Sequence, residues 1–219
     1  MKKLDTRSIV TLGMLAAVAF AAVALIRIPA VSFLKYEPKD VILAIAGFLF
    51  GPIEAMIVTI VVSVVEMMTV STTGPIGLLM NVISSCSFVC IAAAIYRRQR
   101  TLKGAIIGLS IGVFVMTIVM MLWNYLITPI YQGVPRSVVA GMLVPVFLPF
   151  NLVKGILNAA LTMLLYKPVV ETLRKAKLAP ASQNAAVSEK AVIKPSVLVI
   201  SLFIAATCIM IFLVMSGTI

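Results

Sequence analysis

The sequence contains no histidine. That absence excludes histidine acid–base catalysis, Ser-His triads and the usual zinc and haem ligand sets. Acidic residues are scarce, with 7 Asp and Glu against 18 Lys and Arg in 219 residues. Charged residues make up 11% of the chain, where a soluble domain carries about 25%. No Gly-rich loop ending in Gly-Lys-Ser/Thr occurs, so the chain has no Walker site with which to use ATP. An inverted repeat of the kind found in secondary transporters is also missing. The three cysteines, Cys86, Cys90 and Cys208, lie inside apolar runs. Cys86 and Cys90 are four apart on one helix face and read as small packing residues.

What is present is overwhelmingly apolar. Hydrophobic residues reach 62% and the mean hydropathy is +1.18, against roughly 45–50% apolar in soluble proteins. A water-soluble globule of this size cannot hide so much apolar surface, which excludes a soluble enzyme or a DNA-binding domain. The net charge of +11 then reads as cytoplasmic loops beside anionic lipid headgroups rather than as a nucleic-acid partner.

A helix needs about 20 apolar residues to cross a bilayer. The candidates are Ser8–Ile26, the short run Val41–Phe50, Ile53–Val70, Gly77–Tyr96, Gly104–Ile127, Ser137–Tyr166 with Pro145 and Pro149 inside it, and Ser196–Met215. The first follows Lys2, Lys3 and Arg7, is long enough to span and lacks a clear cleavage site, so it reads as a span rather than a signal peptide. Gly51-Pro52 predicts a tight bend joining the short second helix to the third. With the N-terminus in the cytoplasm, thirteen Lys and Arg fall inside: three before the first span, Arg97, Arg98, Arg100 and Lys103, and six from Lys167 to Lys194. Arg27, Lys35, Lys39 and Arg136 fall outside, and Lys154 lies within the sixth helix. This asymmetry sets the orientation. The expectation is an all-α membrane bundle: a six-helix core over residues 1–175, a flexible cytoplasmic linker over 176–194 rich in Ala, Ser and Pro, and a seventh helix over 195–219 acting as an anchor or lipid-facing addition rather than as part of a substrate site.

Polar residues at membrane depth default to functional candidates. Asn151 and Lys154 are three apart and share a helix face, where an amide and an ammonium suit a ligand bearing carbonyls and ring nitrogens. Lys154 could instead snorkel to an interface. Trp123-Asn124-Tyr125 with Thr128, Pro129 and Tyr131 could form an interfacial aromatic belt or a cradle for a planar heterocycle. Tyr36-Glu37-Pro38-Lys39-Asp40 reads as a solvated outer loop or a lid over an outward pocket. Ser71 to Pro75 reads as helix capping, with Asn81, one turn into the fourth helix, able to add an amide. Glu66 could pair with Lys39 or Arg136, or face the cavity. Glu54 sits in the first turn of the third helix and reads as structural. Gly13, Ala17 and Ala21 form a small-residue stripe on the first helix, suited to close packing either within the bundle or against a partner.

Phe50-Gly51-Pro52, Thr73-Gly74-Pro75-Ile76-Gly77 with Met80-Asn81, Asn124-Tyr125 with Pro129 and Tyr131, and Pro149-Phe150-Asn151 with Lys154-Gly155 follow a recognisable order. Over residues 5–175 the chain resembles the S components, or substrate-capture subunits, of energy-coupling factor (ECF) vitamin transporters, within them the riboflavin-specific RibU type. The resemblance implies a six-helix S-component core and an outer loop that closes over a flavin. It implies docking to a membrane coupling protein (the T component) with two ABC ATPases, and no enzymatic activity or cofactor in this chain. The vitamin site of that family maps onto Asn124, Asn151 and Lys154, and the docking face onto Gly13, Ala17 and Ala21. The expected ligand shell adds Tyr36, Lys39, Asp40, Asn81, Trp123 and Tyr131, with Tyr131 or Trp123 against the isoalloxazine. The expected location is the bacterial cytoplasmic membrane. Alternatives are an S component for thiamine, folate, pantothenate or FMN. Residues Lys167–Ile219 depart from the six-helix pattern.

Overall fold

The computed structural model describes residues 5–31, 34–178 and 195–217. Helix α1 (Thr6–Leu25) leads into a hairpin of β1 (Ile28–Val31) and β2 (Leu34–Tyr36). Then come α2 (Lys39–Phe50), α3 (Pro52–Thr69), α4 (Gly74–Gln99) and α5 (Leu102–Gln132). The sixth pass is composite: α6 (Arg136–Met142), a π-helical segment (Leu143–Phe147) and α7 (Leu148–Lys175). Helix α8 (Pro195–Met215) completes the described chain.

Among the described residues, six helical stretches are long and apolar enough to cross a membrane, taking Arg136–Leu173 as one. Their outer faces are greasy, with Phe203 73%, Ile130 71% and Phe114 65% exposed, as lipid contact requires. The 12 residues of α2 rise only about 18 Å, so α2 reaches part-way and turns back. The turn is made by Gly51 at φ +125, where a side chain would be strained, and by Pro52 at the first position of α3.

Local chemistry explains the other boundaries. Asp5 caps α1 by accepting the Ser8 N–H at 2.9 Å, and Thr101 caps α5 by accepting from Gly104. Helices α4 and α5 cross so closely that a Cβ on Gly112 would stand 2.7 Å from the Phe88 carbonyl oxygen. Pro145 and Pro149 lack N–H groups. Around them the sixth pass widens into the π turn, with the Leu148 N–H bonded to Leu143 O. The sequence pattern read this pass as one helix because its apolar run is unbroken.

The segment before α2 is also more ordered than a loop. Ile28 pairs with Tyr36, Pro29 with Lys35 and Val31 with Leu34, antiparallel, with a register irregularity between Pro29 and Val31. The described residues are helical apart from this hairpin and the short connections. One apolar cluster joins α2, α3, α4 and α5 through residues such as Leu43, Val62, Phe88, Leu109 and Met116. A second sits beneath the hairpin and includes Leu34, Tyr36, Phe147, Phe150, Leu157 and Phe212. Helix α7 runs to Lys175, and residues 179–194 of the expected linker lie outside the described residues.

Candidate ligand-binding site

The hairpin end of the bundle holds a cavity of about 190 Å³. Its polar wall comes from Asn81 and Ser84 on α4, Asn124 and Tyr131 on α5, and Asn151 and Lys154 on α7. Apolar surface is added by Leu34, Met80, Met120 and Phe150. Arg27, Lys35, Glu37 and Glu66 line it with charge, and Ser71, Thr72 and Thr73 line it with hydroxyls. Five of the expected residues therefore meet at one cavity: Asn81, Asn124, Tyr131, Asn151 and Lys154.

The amides are held by their own helices. Asn124 donates to Met120 O at 2.7 Å and accepts from Thr128 Oγ1 at 2.9 Å. Asn151 donates to Phe147 O at 2.7 Å, at the end of the π turn. Lys154 Nζ lies 3.5 Å from Ser84 Oγ and 3.7 Å from Asp40 Oδ2. Gly155 lets this part of α7 approach α5, since a Cβ there would stand 2.8 Å from Val113.

Tyr36, Lys39 and Asp40 form neither a solvated loop nor a lid over the cavity. They are 2%, 1% and 0% exposed and lie behind the cavity wall rather than among its lining residues. Asp40 accepts from Ser85 Oγ at 2.5 Å and from Asn158 Nδ2 at 3.2 Å, and Asn158 Oδ1 accepts from the Tyr36 hydroxyl at 2.8 Å. Burial, with Asp40 adding to it, pushes the Tyr36 phenol above its ordinary pKa, so it stays a donor. The physical reason for the inward placement is pairing. Lys39 Nζ meets Glu66 Oε2 at 2.5 Å and Glu37 Oε2 at 3.3 Å, and paired charges can be buried where lone ones cannot.

Glu66 is the hub of this second network. It also receives Asn81 Nδ2 at 3.0 Å and stands 3.6 Å from Arg27 Nη2. Arg27 in turn donates to Val70 O at 2.6 Å. Of the partners expected for Glu66, Lys39 is the one used. Arg136 lies over the Tyr125 ring instead, at 5.4 Å. Trp123 is absent from the cavity lining and packs against the main apolar cluster. Adjacent helical residues point about 100° apart, and on α5 it is Asn124 that turns to the cavity while Trp123 turns to the apolar cluster.

Sequence reasoning missed Ser84, Ser85, Asn158 and Arg27. For Asn158 a signal existed: positions 151, 154 and 158 repeat the helical spacing. The arrangement offers hydrogen bonds, three cations (Arg27, Lys35 and Lys154) and apolar surface. Among the described residues, no group of three or more His, Cys, Asp or Glu could hold a metal ion.

Residues 7–166 match the family model described as the ECF transporter, substrate-specific component. The chain belongs to that family. It is a transporter subunit family, not one of enzymes. The S component is 31% identical over 185 residues to the riboflavin transporter RibU of Staphylococcus aureus (strain TCH60), covering 78% of this chain and 94% of that protein. It is 28% identical over 194 residues to the riboflavin transporter FmnP of Bacillus subtilis (strain 168), covering 80% and 100%. A solved structure of the S component of a bacterial ECF transporter superposes with TM-score 0.65 at 32% identity, covering 77% of this chain and 98% of that one. Every cavity-lining residue of this S component falls within the matched segment, and α8 lies wholly beyond it.

Proposed function

We propose that this S component captures riboflavin at the outer face of the cytoplasmic membrane and delivers it inward with ATP-hydrolysing partner subunits. The observation that carries the reading is the convergence of Asn81, Asn124, Asn151 and Lys154 on one cavity. Amides and an ammonium match the carbonyls and ring nitrogens of an isoalloxazine, and Met80, Met120, Phe150 and Tyr131 supply surface for its faces. The named relatives, riboflavin transporters, support the same substrate. The excess of Lys and Arg at the end opposite the hairpin supports a cytoplasmic N-terminus and an outward cavity. A second reading, a phosphorylated flavin such as FMN, draws on Lys35, an exposed cation on the cavity wall.

The test is direct. Purified protein is expected to quench riboflavin fluorescence on titration and to carry a flavin absorption band when prepared with the vitamin. FMN titrated in parallel separates the two readings. Absence of both quenching and band would end the flavin assignment.

Docking is proposed for α1. Gly13, Ala17 and Ala21 are all exposed, and nothing approaches within 4 Å of a Cβ placed on Gly13. The buried face of α1 is a different one, Thr11, Leu15, Ala19 and Val23. Among the described residues the small stripe therefore serves no packing, and it suits close approach by a T component. Ala17→Trp is expected to abolish co-purification with a T component and its two ATPases while leaving riboflavin affinity within about twofold, since small-residue contacts fail by steric exclusion. Normal co-purification of that variant would remove the stripe from the interface.

A further inference from the structure

Helix α8 carries no charged side chain and lies beyond the segment that matches the family. One side of it is bare, with Val199 66% and Phe203 73% exposed. The other side is a single stripe of buried residues, Ser201, Ala205, Cys208 and Phe212. Three of these are small, which lets α8 approach α7 closely. The fourth is a large ring with no exposure at all.

The position of that ring is informative. Phe212 stacks, tilted, on Tyr36 with centroids 5.2 Å apart, and meets Phe150 edge-on at 5.9 Å. Tyr36 ends β2 and holds Asn158, which holds Asp40 behind Lys154. Phe150 is itself a cavity wall and precedes Asn151. The ring thus wedges between the strand that roofs the cavity and the helix that carries its cation and one of its amides. Neither neighbour can relax away from the cavity while Phe212 fills that space.

We propose that Phe212 is a positioning residue of the ligand site, and that α8 is a prop which stiffens the β1–β2 hairpin and slows ligand release. A helix that only anchored the chain in lipid would have no need to send its one fully buried ring against the hairpin. The ligand part of this inference rests on the riboflavin reading above; the prop itself does not.

The experiment uses the full chain with Phe212→Ala, Phe212→Leu and, as a control on the lipid-facing side of α8, Phe203→Ala. Hydrogen exchange of the ligand-free protein reads the hairpin, and stopped-flow fluorescence reads riboflavin release. Phe212→Ala is expected to raise exchange in β1 and β2 and to speed release about tenfold, in line with the loss of two aromatic contacts. Phe212→Leu keeps much of the volume and loses the ring geometry, and is expected to speed release about threefold. Phe203→Ala is expected to leave both unchanged. The Leu variant decides the matter should the Ala variant not fold. Wild-type release in Phe212→Leu, or an equal effect from Phe203→Ala, overturns the positioning role, even where thermal stability has fallen. If the wild type fails to bind riboflavin, the substrate reading fails, and unchanged hairpin exchange in Phe212→Leu separately overturns the prop.

Discussion

Lys154→Ala is expected to weaken riboflavin binding by about 10- to 100-fold, the worth of a hydrogen bond from a charged donor at about 1.5–3 kcal/mol. Lys154 is 9% exposed and lines the cavity, so its ammonium can be shared between a ligand and Asp40. Truncation has a second consequence. Asp40 has no exposure and keeps only Ser85 and Asn158 as donors, so its charge loses the cation beside it. Stability should fall along with affinity. Adding Asp40→Asn to the Lys154→Ala variant removes the stranded charge and should recover much of the stability without recovering affinity. Lys154→Arg is not a conservative control, because a planar five-donor fork cannot replace a compact ammonium in a fitted wall. Fluorescence titration and thermal unfolding of the three variants check these outcomes. Wild-type affinity in Lys154→Ala would take the residue out of the site.

Lys39→Ala is expected to cost about 3 kcal/mol of stability, at the lower end of the range of about 3–5 kcal/mol for breaking a buried ion pair. Lys39 and Glu66 are 1% and 2% exposed, so each depends on its partner for most of the solvation that water would give. The lower end is chosen because Arg27, 3.6 Å from Glu66, remains as partial compensation. The cluster ties together Arg27 two residues past α1, the start of α2, the end of α3 and the second turn of α4. Its loss should therefore loosen the whole hairpin end. Lys39→Met combined with Glu66→Gln should be nearer wild type than Lys39→Ala, because replacing both partners removes the desolvation cost along with the attraction. The introduced amide can still accept from Asn81. Denaturant unfolding of purified protein measures both; a double variant less stable than the single would contradict the pairing argument.

Much of this was legible in the sequence, for reasons that differ by element. The passes are readable because a bilayer requires long apolar stretches and satisfies no backbone group from outside. The bend at Gly51-Pro52 is readable because only glycine adopts φ +125 at no cost. Asn151 and Lys154 are readable because helical spacing alone puts them on one face. The hairpin was not, since Ile28–Tyr36 is too short a run to distinguish pairing from loop, and its second strand is three residues. Trp123 was misplaced because composition shows an aromatic cluster without showing which side of α5 each member takes.

Residue content was enough to place the chain in a membrane, and the order of charges was enough to predict which of its segments face the cytoplasm. Such properties depend on transfer into lipid and on local helical geometry, which neighbours in sequence decide. Which charges meet was a tertiary matter. Lys39 finds Glu66 across 27 residues and Asn158 finds Asp40 across 118. Only the folded bundle could turn an apparent solvated loop or lid into a buried support, because a charge is buried or exposed according to what stands within a few ångströms of it. The same holds for α8, whose hydropathy describes its contact with lipid and is silent about the ring it drives against Tyr36.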